Sequence, residues 1–330
     1  MTKREINILG AGISGLACGI ILRRNGYAVN IYEKKSNVGM RFNNDWQGIE
    51  NWSDDMDVLK QIESYGIDIS FEYEPINSLY FHFGKKNKLL HEKNATYLVC
   101  RGKEKGCLDT DLLKQARNLG VNVYFNSKMV DNIHINATGP KKVSILVKGI
   151  TFSTKSADSY HMALGEKIAK GYYSHLMIRN GHGTIATVFG PKYSKKANEF
   201  MENTINQFSD YIDIKELLEG KKMGGYGCFE IKENLRDKNG ALLIGEAGGF
   251  QDYFWGFGMR YAIRTAYLAA RSIMNSESYE ELIKANITPQ MKHSLRNRVV
   301  FEYLGKLSYP ALYYLLTKSR SPLKILNKIY

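Results

Sequence analysis

The chain has 330 residues, 44% of them apolar and 12% aromatic, and a formal net charge of +13. That much apolar material fills a large core and excludes disorder as the main state, while the length allows two domains or one with a large insertion. Six prolines against 30 glycines exclude a Pro-rich linker, and the positive excess points to nucleic acid, an anionic membrane surface or an anionic cofactor.

Cys18, Cys100, Cys107 and Cys228 contain no C-x-x-C pair, so no metal site is expected and the thiols are expected to be reduced, as in a cytoplasmic protein. Ile6–Leu22 is apolar, but the spacing of Gly10, Gly12, Gly15 and Gly19 sets it apart from a signal peptide or a membrane span. No other stretch approaches the roughly 20 apolar residues of a spanning helix.

Glu5–Leu9 reads as a buried strand running into Gly10-Ala11-Gly12-Ile13-Ser14-Gly15. A helix over Leu16–Asn25, ended by Gly26, and a second strand over Tyr27–Tyr32, closed by Glu33, complete a βαβ unit. In such a unit Gly10 permits the tight turn, Gly12 lets a pyrophosphate approach the backbone, and Gly15 lets helix and strand pack closely. The helix N-terminus, with the amides of Ile13 and Ser14, faces the phosphates, and Glu33 accepts hydrogen bonds from a ribose diol. Arg41 either faces the pyrophosphate or makes a surface salt bridge.

Further along, Ser78–Phe83 and Lys88–His91 around Gly84–Asn87 read as a β-hairpin. Tyr97–Arg101 precedes a helix from Leu108 and a strand over Gly120–Phe125, and Ile133–Gly139 is a strand and turn. Strands follow at Val143–Val147 and Thr184–Phe189, with Ala169–Ile178 between them, then helices over Ala197–Phe208 and Tyr211–Gly220. On one face of the 169–178 segment stand Tyr173, His175 and Met177. His175 is either a proton donor or polar anchor for a substrate, or a ring packed in the sheet. Gly181-His-Gly183 does not extend to a second G-x-G-x-x-G, so no separate NAD(P)H domain is expected.

Leu242–Gly249 reads as a strand over Ala241–Ile244 and a Gly/Glu turn, Gly245-Glu246; Gly256-Phe-Gly258 then opens a helix over Met259–Met274. Phe250–Phe257 is the richest aromatic cluster, and its loop position favours Tyr253, Phe254 and Trp255 as a pocket wall. Residues 291–330 hold eight Lys/Arg and one acid, Glu302, so +7 of the +13 lies there. Leu323, Leu326 and Ile329 recur at helical spacing among lysines. That pattern suits either an interfacial helix on an anionic bilayer or a helical cap on the fold. Nucleic acid is the less favoured partner, since no RNA-binding module is visible.

The segments around Glu246, Arg101 and Ile133–Gly139 resemble group A flavoproteins, whose Gly-Asp-Ala turn, post-strand Arg and Ala-Thr-Gly exit surround FAD. Here Gly245-Glu246-Ala247 replaces Gly-Asp-Ala. The resemblance implies FAD as cofactor, a carboxylate on the ribityl chain, Arg101 close to the cofactor, and the Gly256/Gly258/Met259 helix start at the flavin. More specifically, Gly171-Tyr172-Tyr173-Ser174-His175-Leu176-Met177-Ile178 resembles the Tyr-x-Trp-x-Phe-Pro motif of geranylgeranyl reductases, with His175 in place of Trp and Met177-Ile178 in place of Phe-Pro. The implied fold is α/β: a discontinuous Rossmann-type FAD-binding domain (1–70, 92–140 and 230–275), an inserted antiparallel β-sheet substrate domain (71–91 and 141–229), and basic C-terminal helices (276–330). The implied activity is saturation of C=C bonds in a hydrophobic, isoprenoid substrate by hydride transfer from FADH2, or else hydroxylation of an aromatic or polyene compound. Electrons then come from an external donor, NAD(P)H or an electron-transfer protein. The implied location is cytoplasmic, peripheral on the membrane if the tail binds it.

Overall fold

The computed structural model describes residues 5–127 and 131–330; residues 1–4 and 128–130, within the expected dinucleotide domain, lie outside the described residues. In chain order the first half is β1 (Glu5–Leu9), α1 (Ile13–Arg24), β2 (Ala28–Tyr32), β3 (Asp45–Glu50), α2 (Val58–Ser64), β4 (Tyr73–Phe83), β5 (Lys86–Arg101), α3 (Leu108–Asn118), β6 (Asn122–Tyr124), β7 (Ile135–Asn136) and β8 (Ile145–Ser153). Then come β9 (Ser159–Leu164), β10 (Tyr173–Arg179), β11 (His182–Phe189), α4 (Ala197–Gln207), α5 (Ile214–Leu218), β12 (Lys221–Gly227), β13 (Leu242–Leu243), α6 (Met259–Asn275), α7 (Tyr279–Asn286), α8 (Thr288–Leu304), α9 (Ser308–Lys318) and α10 (Pro322–Ile329).

Two sheets divide the work. A parallel sheet of order β13-β7-β1-β2-β6 is the dinucleotide layer. Its strands read as apolar runs because both faces are covered: Ile6, Ile8, Val29 and Ile31 are all buried. Helix α1 starts at Ile13, three residues before the sequence expectation, because the Leu16 amide already donates to the Gly12 carbonyl at 3.0 Å. Two glycines are obligatory here. Gly10 has φ +102°, and a Cβ on Gly15 would lie 1.9 Å from the Gly10 carbonyl oxygen.

The second sheet has eight strands in the order β12-β8-β11-β10-β9-β4-β5-β3. The expected hairpin is present but longer. Strand β5 runs unbroken through residues 91 and 92, where a domain boundary was expected, and β3, expected in the dinucleotide domain, pairs with it. Strand β9, which the sequence reading omitted, pairs in parallel with β4 and in antiparallel with β10. It alternates weakly, so no two-residue period marks it.

One further expectation changes, and one of two alternatives is met. Cys100 and Cys107 form a disulfide rather than free thiols: the end of β5 and the N-terminus of α3 converge, bringing their Cα atoms to 4.5 Å. The C-terminal helices form a cap. Tyr309, Leu312 and Leu316 of α9 are buried, and Tyr313 stacks on Phe81 of β4. Polar ties hold the cap down: the Asn327 side-chain amide donates to the Trp52 carbonyl at 2.6 Å, and Tyr330 Oη donates to Glu50 Oε1 at 2.8 Å. No helix among the described residues is long and apolar enough to cross a membrane.

Candidate active site

A cavity of about 770 Å³ runs between the two sheets, within the roughly 300–1,000 Å³ range of small-molecule sites. One end is built by the βαβ unit. Gly10, Gly12, Ile13 and Ser14 line it, and no side chain caps the N-terminus of α1. Gly12 meets no atom within 4 Å of where its Cβ would stand, so its backbone opens directly onto the cavity. Gly15 is withdrawn from the cavity and packs α1 on the turn. Glu33, at the end of β2, lines the same end. Its Oε2 accepts from the Ala11 amide and its Oε1 from the Lys35 amide, both at 2.9 Å, which fixes the carboxylate beside the Gly-rich turn.

Arg41 and Glu246, both on the cavity wall, pair with each other at 3.4 Å, and Arg41 also donates to the Tyr226 carbonyl. The two alternatives for Arg41 therefore coincide: it makes a salt bridge, and it makes it on the cavity rim. Gly245 does not line the cavity. It adopts φ +55° and brings the turn onto α1, where a Cβ would meet Ser14 Oγ at 2.6 Å. Arg101 is buried, held in bidentate fashion by Asp109 (2.8 and 3.0 Å) and stacked on Phe42 at 4.1 Å, while still lining the cavity.

The middle of the cavity lies under the N-terminus of α6. Gly256, Gly258 and Met259 line it, and no side chain caps this helix either. Of the aromatic cluster Trp255 and Phe257 reach the cavity. Tyr253 and Phe254, expected in the pocket wall, are core residues. Tyr253 packs on Phe229 and its hydroxyl accepts from the Ile231 amide; Phe254 packs on Phe301. The reason is the turn itself. Asp252, fully buried, accepts from the amides of Trp255 and Gly256, winding the loop so that successive rings diverge. Sequence reasoning missed Asp252, whose signal is an Asp three residues before a Trp-Gly turn.

Strand β10 forms the facing wall. Tyr173, His175 and Met177 all line the cavity, the alternation expected of one strand face. Tyr173 stands 5.8 Å from Trp255 and 6.0 Å from His175, ring to ring. Burial and the Asp252 carboxylate push its phenol well above the ordinary range, so it stays protonated. Burial pulls the His175 ring down to about 4, so it is neutral at pH 7, and no hydrogen bond to another described residue holds it. Beyond this wall the lining is mainly apolar, with Leu79, Phe81, Leu90, Met162 and, from the cap, Leu316, Leu323 and Leu326, interrupted by Asn77, Ser78, Thr96 and Glu92, whose carboxylate accepts from the Leu323 amide at 3.1 Å. The cap's contribution was missed because nothing local marks which strand a distant helix covers.

The sequence of residues 8–51 matches the NAD(P)-binding Rossmann-like domain. A geranylgeranyl bacteriochlorophyll reductase-like protein from Thermoplasma acidophilum superposes over 96% of this chain and 92% of its own, with a TM-score of 0.73 at 17% identity. The fold is that of the group A flavoproteins. This flavoprotein fold also appears in the flavin-dependent brominase Bmp2 (TM-score 0.66, 15% identity, 98% and 92% covered). It appears again in 2-methyl-3-hydroxypyridine-5-carboxylic acid oxygenase (TM-score 0.61, 13% identity, 100% and 97% covered). No curated protein matches in sequence. The residues present fit FAD, the cofactor that the sequence resemblance implies. Two uncapped helix N-termini open on one cavity, one placed for a pyrophosphate and one for the electron-rich edge of a flavin. No His/Cys/Asp/Glu group among the described residues is arranged to hold a metal.

Proposed function

We propose that the protein is an FAD-dependent oxidoreductase that saturates C=C bonds of a long apolar chain, of the isoprenoid type. The observation that carries this reading is the continuity of the cavity from the dinucleotide cradle, past Tyr173 and His175, into an apolar arm closed by Leu316, Leu323 and Leu326. Glu33 and the α1 N-terminus would hold the adenosine and pyrophosphate, Arg41, Glu246 and Arg101 the middle of the cofactor, and the α6 N-terminus the flavin edge. When bound and reduced by an external donor, FAD supplies the hydride that adds to one alkene carbon.

The chain's own residues supply alignment and dryness. An isolated alkene has no carbonyl to polarise, so positioning and exclusion of water carry the rate. Trp255, Phe257 and Met177 wall the reacting segment. Tyr173 holds a phenol proton beside it, available to the second alkene carbon, with replacement from solvent. His175, neutral at pH 7, acts as a polar anchor rather than as a cationic acid. NAD(P)H or an electron-transfer protein serves as donor, and an anionic membrane surface, met through 291–330, as the source of substrate.

The test is direct. FAD-loaded protein reduced with dithionite and given a detergent-solubilised geranylgeranyl lipid should yield products heavier by two hydrogens per double bond. Unchanged lipid refutes the reading. Hydroxylation of an aromatic or polyene compound is the second reading, favoured by the unpartnered His175 ring in the cavity wall. Oxygen-dependent NAD(P)H consumption stimulated by an aromatic compound would select it.

A further inference from the structure

Helix α9 has two faces. One is turned inward: Leu312 and Leu316 are buried, and Leu316 lines the main cavity. The other carries Leu307, just before the helix, then Tyr314 and Leu315, which are 71%, 62% and 50% exposed. Tyr303, at the end of α8, is 89% exposed. Leu307, Ala311, Tyr314, Leu315 and Lys318 fall at helical spacing on one stripe. Exposed apolar residues scattered singly need no explanation, but a contiguous stripe does.

The β4–β5 hairpin tip stands beside this stripe. Lys85, Lys86, Tyr314 and Lys318 line one groove, and Lys88 is tied to the α9 end through the Thr317 carbonyl at 2.6 Å. Lys85, Lys86, Lys306 and Lys318 are exposed and form no ion pair among the described residues. The one acid of 291–330, Glu302, is already bound to Arg298 at 2.8 Å. An apolar stripe is therefore rimmed by unneutralised cations from two elements far apart in sequence.

We propose that this surface, the α8–α9 stripe with the hairpin-tip lysines, docks on a bilayer containing anionic phospholipids. The apolar side chains enter the headgroup boundary, and Lys85, Lys86, Lys306 and Lys318 meet the lipid phosphates. A second copy of the chain fits poorly, because pairing the stripe with itself brings lysines against lysines. RNA fits less well: Tyr303 and Tyr314 offer stacking faces, but Leu307 and Leu315 present aliphatic surface that neither a base nor a phosphate backbone covers well. Docking puts α9 between the bilayer and the cavity, so an apolar chain has a short route to Leu316. The inference rests on the proposed apolar substrate only for that last point.

The experiment uses the full FAD-loaded chain, sedimented with phosphatidylcholine vesicles with and without phosphatidylglycerol. Binding to the anionic vesicles, weakened by salt, is expected, with little binding to phosphatidylcholine alone. Lys85→Glu/Lys86→Glu/Lys318→Glu and, separately, Leu307→Ser/Leu315→Ser should each weaken binding by more than about tenfold, with circular dichroism and flavin absorbance unchanged. Absence of binding, or equal binding by both folded variants, overturns the proposal. So does salt-sensitive binding of single-stranded RNA without vesicle binding, or a dimer in gel filtration that Leu307→Ser/Leu315→Ser dissociates. If vesicles bind but the detergent-solubilised lipid is not reduced, the proposed reaction fails and the docking surface stands.

Discussion

Arg41 and Glu246, 205 residues apart in sequence, form an ion pair on the rim of a cavity that both sheets line. Both side chains keep a quarter to a third of their exposure, so the pair adds little to stability, about 0–1 kcal/mol. Arg41→Ala should leave the melting temperature of the cofactor-free protein almost unchanged. It should weaken FAD binding about tenfold, as expected for loss of one charge-assisted contact. Fluorescence titration with FAD checks this, and unchanged affinity removes Arg41 from the cradle.

The two central glycines of the fingerprint should fail in different ways. A Cβ at Gly12 meets nothing in the protein, so Gly12→Ala should fold normally yet purify with little flavin. A Cβ at Gly15 collides with the Gly10 carbonyl, so Gly15→Ala should lower stability itself, by about 1–3 kcal/mol. Denaturant unfolding of both apoproteins, beside their absorbance near the flavin bands, separates the two effects.

Arg101 and Asp109 form a buried bidentate pair at the end of β5. Arg101→Met leaves the Asp109 carboxylate buried without its partner, and a loss of about 3–5 kcal/mol is expected. Chemical denaturation measures it; a loss below 1 kcal/mol would show that Asp109 finds another partner or takes up a proton.

His82 and His161 share a hydrogen bond of 3.1 Å inside the eight-stranded sheet, and burial lowers them to about 4 and about 3. A lowered folded-state value means that the unfolded chain binds more protons below pH 6.5. Stability is therefore full above pH 6.5 and falls as the pH drops towards 4, by up to about 1.4 kcal/mol per pH unit for each ring. His82→Gln/His161→Phe should reduce the fall in melting temperature between pH 6.5 and 4, leaving the part that the buried His175 ring contributes. An undiminished slope would assign the effect to other groups.

Tyr173→Phe should lower kcat for alkene reduction by about 10- to 100-fold if its phenol supplies the proton. His175→Phe should act mainly on KM. Single-turnover oxidation of the reduced flavin by the lipid reads both, and an unchanged rate in Tyr173→Phe moves the proton source to water.

The sequence by itself determined the dinucleotide end. Gly10, Gly12, Gly15 and Glu33 lie within 24 residues of one another, and their turn, helix and strand follow from local rules of backbone freedom and periodicity. The alternation of Tyr173, His175 and Met177 was legible for the same reason. What only the tertiary structure decided depends on residues distant in sequence. Asp252 winds a buried turn that sends Trp255 to the cavity and Tyr253 and Phe254 into the core. The cap helices close the apolar arm on strands more than 200 residues earlier. The basic tail shows the difference most clearly. Its composition suits a cap and a membrane surface equally; packing makes the tail a cap and leaves one face of α9 exposed, because a helix has two sides and the fold buries only one.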